Sequence, residues 1–320
     1  PSQIPSASAD IFAMDTYMEL TAYGKYAEEA VGAAKEEIER LDALLSTGND
    51  KSEIGQLNKN EKGQISADTQ YLLNRSFTIY EETDGAFDIT IYPIMRAWGF
   101  TGEEHRIPSE EELQSLLQLV DASSLQYDAS TQTLTLPEGV EIDFGGIAKG
   151  YTSQRVAQIM QEYDINSAIL NLGGNVQLVG AKPDGSSWKV AIKSPDEQEE
   201  YLGVLSAQNK AIITSGGYER YFEENGRKYH HIIDPKTGMP AYNGLQSVTI
   251  VSEDGTLADG LSTALYVMGT ESAVKFWQNH NDEFDAILYT DDGTLYVTEG
   301  IADTFTSSHS ITVLEKAVAF

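Results

Sequence analysis

The sequence predicts an α+β fold, with mixed or mainly antiparallel sheets and helices packed on the outside. A few long segments carry apolar residues at helical spacing, while many shorter apolar or alternating segments end in turns rich in Gly, Pro or Asp. No internal repeat and no linker divides the chain. We therefore expect two intimately packed lobes, with the functional site between them.

The composition is that of an ordinary globular protein and argues against some classes of function. Of the 320 residues, 41% are hydrophobic and 22% are charged. No apolar run reaches the roughly 18 residues that cross a bilayer. The formal net charge of −29 would repel nucleic-acid phosphates, so we expect no nucleic-acid partner. Cysteine is absent and only five histidines are present, so a bound metal would take mainly oxygen ligands.

The first residues are typical of a flexible tether. Residues 1–10 are small, polar and of low complexity, and residues 11–320 form the single predicted domain. Such a start fits an exported protein whose signal segment was removed and which a lipid anchors at an upstream residue. It also fits a trimmed cytoplasmic protein. An extracytoplasmic lipoprotein is the prediction, and a cytoplasmic protein is the alternative.

The first third of the chain predicts one strand followed by two helices. Residues 11–22 alternate loosely between apolar and polar and indicate a strand, whereas residues 25–45 have helical spacing. Residues 52–58 are ambiguous. Asp68 is the expected N-cap of a second helix, which stops at residues 84–85.

The middle of the chain predicts a glycine-rich turn. Residues 132–136 and 140–143 predict a pair of strands, and residues 143–149 then lead into a helix. Main-chain N–H groups in such a turn can face an anion, and a tight structural crossover is the alternative explanation. Asp88 lies in an apolar, aromatic segment whose packing does not explain a carboxylate.

Two further segments carry candidate functional groups. Residues 211–218 predict a strand that ends in a Thr214-Ser215-Gly216 turn of free hydroxyls and amides. His231 lies between a short strand and a turn rich in Pro and Gly. By itself this context allows a general base but favours a structural histidine.

Residues 247–268 predict a strand, a turn and a helix. On that helix Asp259 and Thr263 are four residues apart, so their side chains lie on the same face. A carboxylate and a hydroxyl are suitable ligands for a hard divalent cation, although such a pair is more often solvated or capping.

Taken together and in this order, these segments resemble the ApbE-type FAD:protein FMN transferase family. The resemblance extends from about Phe12 to at least Met268. The matching motifs are Ala13-Met-Asp-Thr-Tyr, Ser52-Glu-Ile with Leu57-Asn58, Gly85-Ala-Phe-Asp-Ile-Thr with Trp98-Gly-Phe, Asp143-Phe-Gly-Gly-Ile-Ala-Lys-Gly-Tyr, Asn171-Leu-Gly-Gly-Asn, Thr214-Ser-Gly, His231-Ile-Ile-Asp-Pro-Lys-Thr-Gly and Ala258-Asp-Gly-Leu-Ser-Thr-Ala. Phe144 replaces the usual leucine and Gly260 a frequent alanine, and neither change removes a side-chain ligand.

The resemblance implies an enzyme that binds FAD with Mg²⁺ and cleaves the FAD diphosphate. FMN would pass through a phosphoester bond to a threonine of a partner protein, and AMP would be released. The implied partner is a subunit of a membrane redox complex or an exported flavoprotein. The chain itself would touch a membrane only through a lipid anchor.

The resemblance also implies roles for individual residues. Asp259 and Thr263 match the family's side-chain metal ligands, and a main-chain carbonyl of the Gly145-Gly146 turn matches its third protein ligand. His231 matches the histidine proposed to deprotonate the acceptor threonine. The positions that match nucleotide contacts are Met14, Asn58, Tyr71, Asp88, Asp143, Gly145, Lys149, Thr214, Ser215 and Gly216.

Two other functions remain open at this point. An FAD pyrophosphatase would use the same metal but would replace the threonine with water and release free FMN. A flavin-binding lipoprotein without turnover would need neither the Asp259 and Thr263 pair nor His231, so the presence of all three side chains disfavours it.

Overall fold

The computed structural model describes residues 3–102 and 104–317 and confirms the predicted α+β class. Within these residues the largest feature is a nine-stranded sheet whose neighbouring strands are antiparallel except at one edge. The parallel pair at that edge makes the sheet mixed. No helix in the described part of the chain is long and apolar enough to cross a bilayer.

Helices and short strands alternate irregularly along the chain. The helices are α1 (Ala27–Leu45), α2 (Glu53–Asn60), α3 (Ala67–Glu82), α4 (Tyr92–Trp98), α5 (Glu110–Leu117), α6 (Ala148–Glu162), α7 (Gly255–Met268), α8 (Thr270–Asn279) and α9 (Glu299–Ala302). The strands are β1 (Ser6–Ala13), β2 (Thr16–Tyr23), β3 (Lys62–Gln64), β4 (Gln126–Asp128), β5 (Thr133–Thr135), β6 (Ser167–Leu172), β7 (Asn175–Gly180), β8 (Trp188–Lys193), β9 (Tyr201–Ala207), β10 (Ala211–Gly216), β11 (Tyr221–Glu224), β12 (Arg227–His230), β13 (Leu245–Ser252), β14 (Asp285–Thr290), β15 (Leu295–Thr298), β16 (Phe305–Thr306) and β17 (Ile311–Leu314).

The main sheet has the strand order β1-β2-β6-β7-β10-β13-β14-β15-β17. Three small sheets accompany it in the described residues: β11-β12, β16-β9-β8 and β3-β5-β4. The order brings β10 and β13, which are far apart in sequence, into direct antiparallel pairing. This pairing places the segment after β10 beside the segment that starts α7.

Both faces of the main sheet are covered by other elements. Alternate side chains of a strand point to opposite faces, so neighbouring residues of one strand join different cores. Ile213 of β10 and Ile250 of β13 join a core built with α2, α3 and α7. Their neighbours Ile212 and Val251 join a second core with the small sheet of β8, β9 and β16. A third core packs α1 and α6 against the first strands.

The structure corrects the predicted start of the domain. Ser6 to Asp10 are not a flexible tether, because they belong to β1 and pair with β2. Residues 11–22 are two strands and not one. Met14 and Asp15 both have positive φ, at 51° and 57°, and form the turn of a hairpin. Neither is glycine, so the sequence carried no sign of this turn.

Two further predictions for the first half of the chain are wrong. Ser66 is the N-cap of α3, because its side chain accepts a hydrogen bond from the Thr69 N–H. Asp68 lies in the first turn and accepts hydrogen bonds from Arg40 and Tyr151. The predicted strand at residues 140–143 is absent, and β5 pairs instead with β3 and β4.

Candidate active site

One helix carries both predicted metal-ligating side chains. α7 follows β13 closely, and the Asp254 carboxylate caps its first turn by accepting a hydrogen bond of 3.0 Å from the Leu257 N–H. Asp259 is only 7% exposed, and Thr263 lies one turn further along at a half-buried position. The helical spacing therefore places both side chains on one face of α7, as predicted.

The start of α6 packs directly against Asp259. The Gly150 N–H donates a hydrogen bond of 2.8 Å to Oδ2 of Asp259. A Cβ atom on Gly150 would lie 2.2 Å from the Gly255 carbonyl oxygen and 2.5 Å from Cβ of Asp259, so only glycine fits here. Burial raises the pKa of Asp259 to about 7, while the Gly150 N–H and the positive charge of Lys149 act in the opposite direction.

The glycine-rich turn that precedes α6 is held from several sides. Asp143 accepts hydrogen bonds from the Thr47 hydroxyl and, at 3.1 Å, from the Gly145 N–H, and burial raises the pKa of Asp143. A Cβ atom on Gly146 would lie 3.0 Å from the Phe87 ring.

The same turn reaches α7. A Cβ atom on Gly260 would lie 3.7 Å from Cδ1 of Ile147, which directly follows Gly146. Ile147, the residue after the turn, therefore lies beside Gly260 of α7, and metal binding by a carbonyl of the turn stays a prediction.

The Thr214, Ser215 and Gly216 segment is not a turn of free hydroxyls, because it forms the end of β10. The Ser215 hydroxyl lies 2.7 Å from the Ser262 hydroxyl, which itself donates to the Asp259 carbonyl oxygen at 2.8 Å. The Thr214 hydroxyl lies 2.8 Å from that of Thr249 on β13. These contacts fix β10 against α7, and nucleotide binding by the three residues stays a prediction.

His231 directly follows β12 and is anchored to the carbonyl of Arg220. Its main-chain N–H donates to this oxygen at 3.0 Å, and its Nδ1 lies 3.1 Å from the same oxygen. A carbonyl only accepts, so Nδ1 carries the proton and Nε2 keeps its lone pair. Burial and the positive charge of Arg220 hold the pKa of His231 well below its ordinary value of 6.5. The imidazole is therefore neutral, with a lone pair on Nε2.

Lys149 directly precedes Gly150, whose N–H donates to the Asp259 carboxylate. The positive charge of Lys149 acts to lower the pKa of Asp259 and also contributes to the lowered pKa of His231. α7, which carries Asp259 and Thr263, also packs through Tyr266 against the ring of His230, the neighbour of the candidate base His231. Contact of Lys149 with a phosphate stays a prediction.

Asn58 and Asp88, both predicted to contact the nucleotide, bind the protein's own backbone. Asn58 Nδ2 donates to the Ile142 carbonyl at 2.9 Å, and its Oδ1 accepts from the Ile142 N–H at 2.8 Å. Asp88 accepts from the N–H and hydroxyl of Thr90 and from the Ala122 N–H. Burial raises the pKa of Asp88. Both residues support the loops around Asp143, and a direct nucleotide contact stays a prediction.

Tyr71 and Met14 both contact side chains of α6. The Tyr71 hydroxyl accepts a hydrogen bond of 3.1 Å from the Gln154 side chain, and its ring packs on that of Tyr151. The sulfur of Met14 lies 3.5 Å from the Thr152 hydroxyl. Both side chains are only partly buried, so a nucleotide contact remains sterically open to each.

Sequence reasoning missed three residues that shape the site. Gly150 could have been found, because it follows Lys149 at the end of the glycine-rich run. Ser262 lies three residues after Asp259 on α7. It is surrounded in the sequence by apolar residues that form the buried face of the helix, so nothing singled it out. Arg220 gave no signal, because its carbonyl and not its side chain anchors His231.

The donor atoms at α7 suit magnesium better than a transition metal. No cluster of three or more His, Asp or Glu side chains with metal-binding geometry occurs in the described ranges. A cation here would be held by one carboxylate, one hydroxyl and main-chain or substrate oxygens, and Mg²⁺ commonly binds in this way. A cation would also favour the charged form of the buried Asp259 carboxylate. The residues present therefore fit Mg²⁺.

Comparison with known proteins decides the family. The model of the ApbE family matches residues 14–288. The chain belongs to the ApbE family. A FAD:protein FMN transferase from Haemophilus influenzae is 30% identical over 285 residues, covering 86% of this chain and 82% of the relative. Another from Vibrio cholerae is 33% identical over 263 residues, covering 80% and 78%.

Solved structures of ApbE proteins share the fold. The ApbE protein from Thermotoga maritima has a TM-score of 0.86 and 32% identity, and the match covers 92% of this chain and 98% of that one. The flavin transferase ApbE from Vibrio cholerae has a TM-score of 0.84 and 26% identity, with coverage of 94% and 100%. The matches therefore span nearly the full length of both solved structures.

Proposed function

We propose that this ApbE protein transfers FMN from FAD to a threonine hydroxyl of an acceptor protein, with Mg²⁺ bound at Asp259 and Thr263. Relatives with the name FAD:protein FMN transferase support the type of reaction. The observation that carries the proposal is that α7, which carries Asp259 and Thr263, also packs through Tyr266 against His230, the neighbour of His231, with ring centroids 5.4 Å apart. One active site can thus bind the diphosphate and activate the acceptor.

The substrate side of the site neutralises negative charge. Asp259, Thr263 and a carbonyl of the Gly145-Gly146 turn would hold Mg²⁺. When bound, Mg²⁺ neutralises the diphosphate and the charge that develops on the departing AMP. Lys149 adds a second positive charge, which this acidic protein needs in order to bind an anionic dinucleotide.

The acceptor side supplies the nucleophile. Nε2 of His231 takes the proton from the threonine hydroxyl while the threonine oxygen bonds to the FMN phosphorus. The bond from that phosphorus to the bridging oxygen breaks, and AMP leaves with the bond's electrons. A positioned imidazole typically contributes about 10²- to 10⁴-fold to such a step.

The proposal also includes the kind of acceptor and the location of the protein in the cell. An acceptor in a membrane redox complex or an exported flavoprotein would place the reaction outside the cytoplasm. A lipid anchor upstream of the short N-terminal segment would then hold the enzyme near its acceptor. Fractionation of cells that express the precursor tests this location, and recovery in the cytosol would contradict it.

Incubation with FAD and Mg²⁺, with and without a candidate acceptor protein, tests the proposal. We expect mass spectrometry to find FMN on an acceptor threonine and chromatography to find equal amounts of AMP. Release of FMN and AMP that ignores the acceptor would instead indicate a pyrophosphatase. FAD that stays bound and intact for hours would indicate a storage protein.

Two variants assign the roles. Asp259→Ala should abolish cleavage while the protein remains folded, because the only carboxylate of the proposed metal site is removed. His231→Ala should slow transfer far more than it weakens FAD binding. Equal losses in both measurements would make His231 a structural residue.

A further inference from the structure

His230, the neighbour of the candidate base, is fixed in one tautomer by two hydrogen bonds. Its Nε2 lies 2.7 Å from the Ala241 carbonyl oxygen, and its Nδ1 accepts from the Ile232 N–H at 3.2 Å. The carbonyl only accepts and the N–H only donates, so the proton is on Nε2 and the lone pair is on Nδ1. Both ring nitrogens are therefore engaged, and His230 has none free for acid–base chemistry.

The ring of His230 joins separate parts of the chain. It is 5% exposed and packs edge-on against Tyr266 of α7 and Tyr242, with centroid distances of 5.4 and 5.2 Å. A Cβ atom on Gly217, just after β10, would lie 2.8 Å from this ring. His230 thus fills the junction of β10, β12, α7 and the segment around Ala241.

His231 depends on this junction for its orientation. The main-chain N–H of His231 and its ring Nδ1 both bind the Arg220 carbonyl oxygen. On its C-terminal side the next residue, Ile232, is held by His230 Nδ1 and by the hydrogen bond from the Ala241 N–H to the Ile232 carbonyl, at 2.9 Å. The direction of the backbone through His231 is therefore set partly by the ring of the preceding residue.

We propose that His230 is a positioning residue whose hydrogen bonds to Ile232 and Ala241 aim Nε2 of His231 at the acceptor hydroxyl. The proposal rests on the proposed transferase function, because it assumes that His231 is the base. It explains why adjacent histidines have different roles: His230 uses both nitrogens on the backbone, and His231 uses only one. A small misplacement of a base is costly, since about 1 Å can reduce a rate about 10²-fold.

Variants of His230 separate positioning from structure. His230→Phe keeps a ring between the two tyrosines but loses both hydrogen bonds, so we expect kcat for transfer to fall about 10- to 100-fold. The Kd for FAD should change less than about twofold, because both ring nitrogens of His230 bind the protein's own backbone and leave none for the nucleotide. His230→Asn offers an oxygen to the Ile232 N–H and should recover most of kcat.

A matched control comes from the same segment. The Tyr242 hydroxyl donates to the Lys228 carbonyl, so Tyr242→Phe removes one hydrogen bond there and leaves both bonds of His230 intact. We expect its kcat to stay within about twofold of wild type. If His230→Phe costs no more than Tyr242→Phe, or if His230→Asn is as slow as His230→Phe, the positioning role is wrong.

A spectroscopic measurement tests the geometry without any turnover. In ¹⁵N-histidine NMR of the wild-type protein near pH 7.5, we expect His230 protonated on Nε2 and His231 on Nδ1. The opposite tautomer for His230 would overturn the proposal, even if His230→Phe does not fold. Failure of the proposed function and failure of the positioning role give different results. If the wild type transfers no FMN, the transferase function is wrong. If the tautomer of His230 is the opposite one, its hydrogen bonds and thus its positioning role are wrong.

Discussion

Gly150 and Asp259 are joined by a hydrogen bond of 2.8 Å from the glycine N–H to Oδ2 of the carboxylate. The absence of a side chain on Gly150 lets α6 approach α7 closely enough for this bond. A backbone donor thus holds one oxygen of the proposed metal ligand. The precision of the site depends on how closely two helices pack.

The first prediction concerns this close packing. Gly150→Ala would place a methyl group 2.2 Å from the Gly255 carbonyl oxygen, so the helices must separate. We expect the free energy of unfolding to fall by about 1–3 kcal/mol and FAD cleavage to be largely lost. Urea unfolding and AMP release measure the two effects.

Gly32→Ala is the matched control for that variant. Gly32 is exposed in the middle of α1, and a Cβ atom there meets nothing within 4 Å. We expect a gain of about 0.5–1 kcal/mol from the lower conformational entropy of the unfolded chain, with unchanged activity. If Gly150→Ala behaves like Gly32→Ala, close packing is not needed at Asp259.

The second prediction concerns Asn58 as a support for the glycine-rich turn. Asn58→Ala removes two hydrogen bonds to Ile142 and leaves a buried N–H without its partner. We expect a loss of about 2–3 kcal/mol in the free energy of unfolding and a higher KM for FAD. Asn60→Ala, on the same helix but bonded only to Gln56 at the surface, should cost less than about 0.5 kcal/mol. Equal effects of the two variants would refute this role.

The third prediction is the pH dependence of catalysis. The pKa of His231 is held below its ordinary value of 6.5 by burial and by the charge of Arg220, so the base stays neutral below pH 6.5. Asp259, with a pKa of about 7, also titrates in this range, so the measurement uses saturating Mg²⁺, which favours the charged carboxylate. Under that condition we expect kcat/KM for transfer to show no inflection near pH 6.5. A one-proton decrease centred near pH 6.5 that persists at saturating Mg²⁺ would mean that His231 titrates normally.

The fourth prediction is the pH dependence of stability. In the folded protein the lowered pKa keeps His231 uncharged, whereas the unfolded chain takes up a proton near pH 6.5. Above pH 6.5 the neutral His231 costs no stability. As the pH falls from 6.5 towards the folded-state pKa, protonation of the unfolded chain lowers the free energy of unfolding. We expect the free energy of unfolding to fall less steeply below pH 6.5 in His231→Gln than in wild type. Parallel slopes in urea titrations would contradict the assignment.

Strong periodicity made part of the fold predictable. Residues 25–45 and 255–268 have apolar positions at helical spacing, and both form helices with that face buried. Short apolar segments that end in turn residues also predicted β10 and β13, whose alternate side chains join cores on the two faces of the main sheet.

Other elements could not be predicted because the usual sequence signals for strands and turns are absent or misleading there. The backbone of Ile142 is paired by the side chain of Asn58, so a strand-like apolar pattern there has no strand partner. The β1–β2 turn uses Met14 and Asp15 at positive φ, where glycine or asparagine is usual. β9 was missed altogether, because nothing in residues 201–207 marks its pairing with β8 and β16.

Candidate site residues could be named from the sequence, but their contacts could not be predicted, and their roles stay predictions. Asp259, Thr263 and His231 came from a resemblance to the family, since each alone has an ordinary structural explanation. Main-chain atoms hold two of these side chains: the Gly150 N–H binds the Asp259 carboxylate, and the Arg220 carbonyl binds Nδ1 of His231. Main-chain donors and acceptors are the same in every residue, so no sequence pattern reports them.

A crystal structure of the His231→Ala protein with FAD and Mn²⁺ tests the metal assignment most directly, because Mn²⁺ replaces Mg²⁺ and scatters anomalously. We expect one anomalous peak bonded to the Asp259 carboxylate and the Thr263 hydroxyl, with the FAD diphosphate on the same ion and beside Lys149. A diphosphate remote from α7, or a Mn²⁺ ion bound elsewhere, would contradict the proposed chemistry.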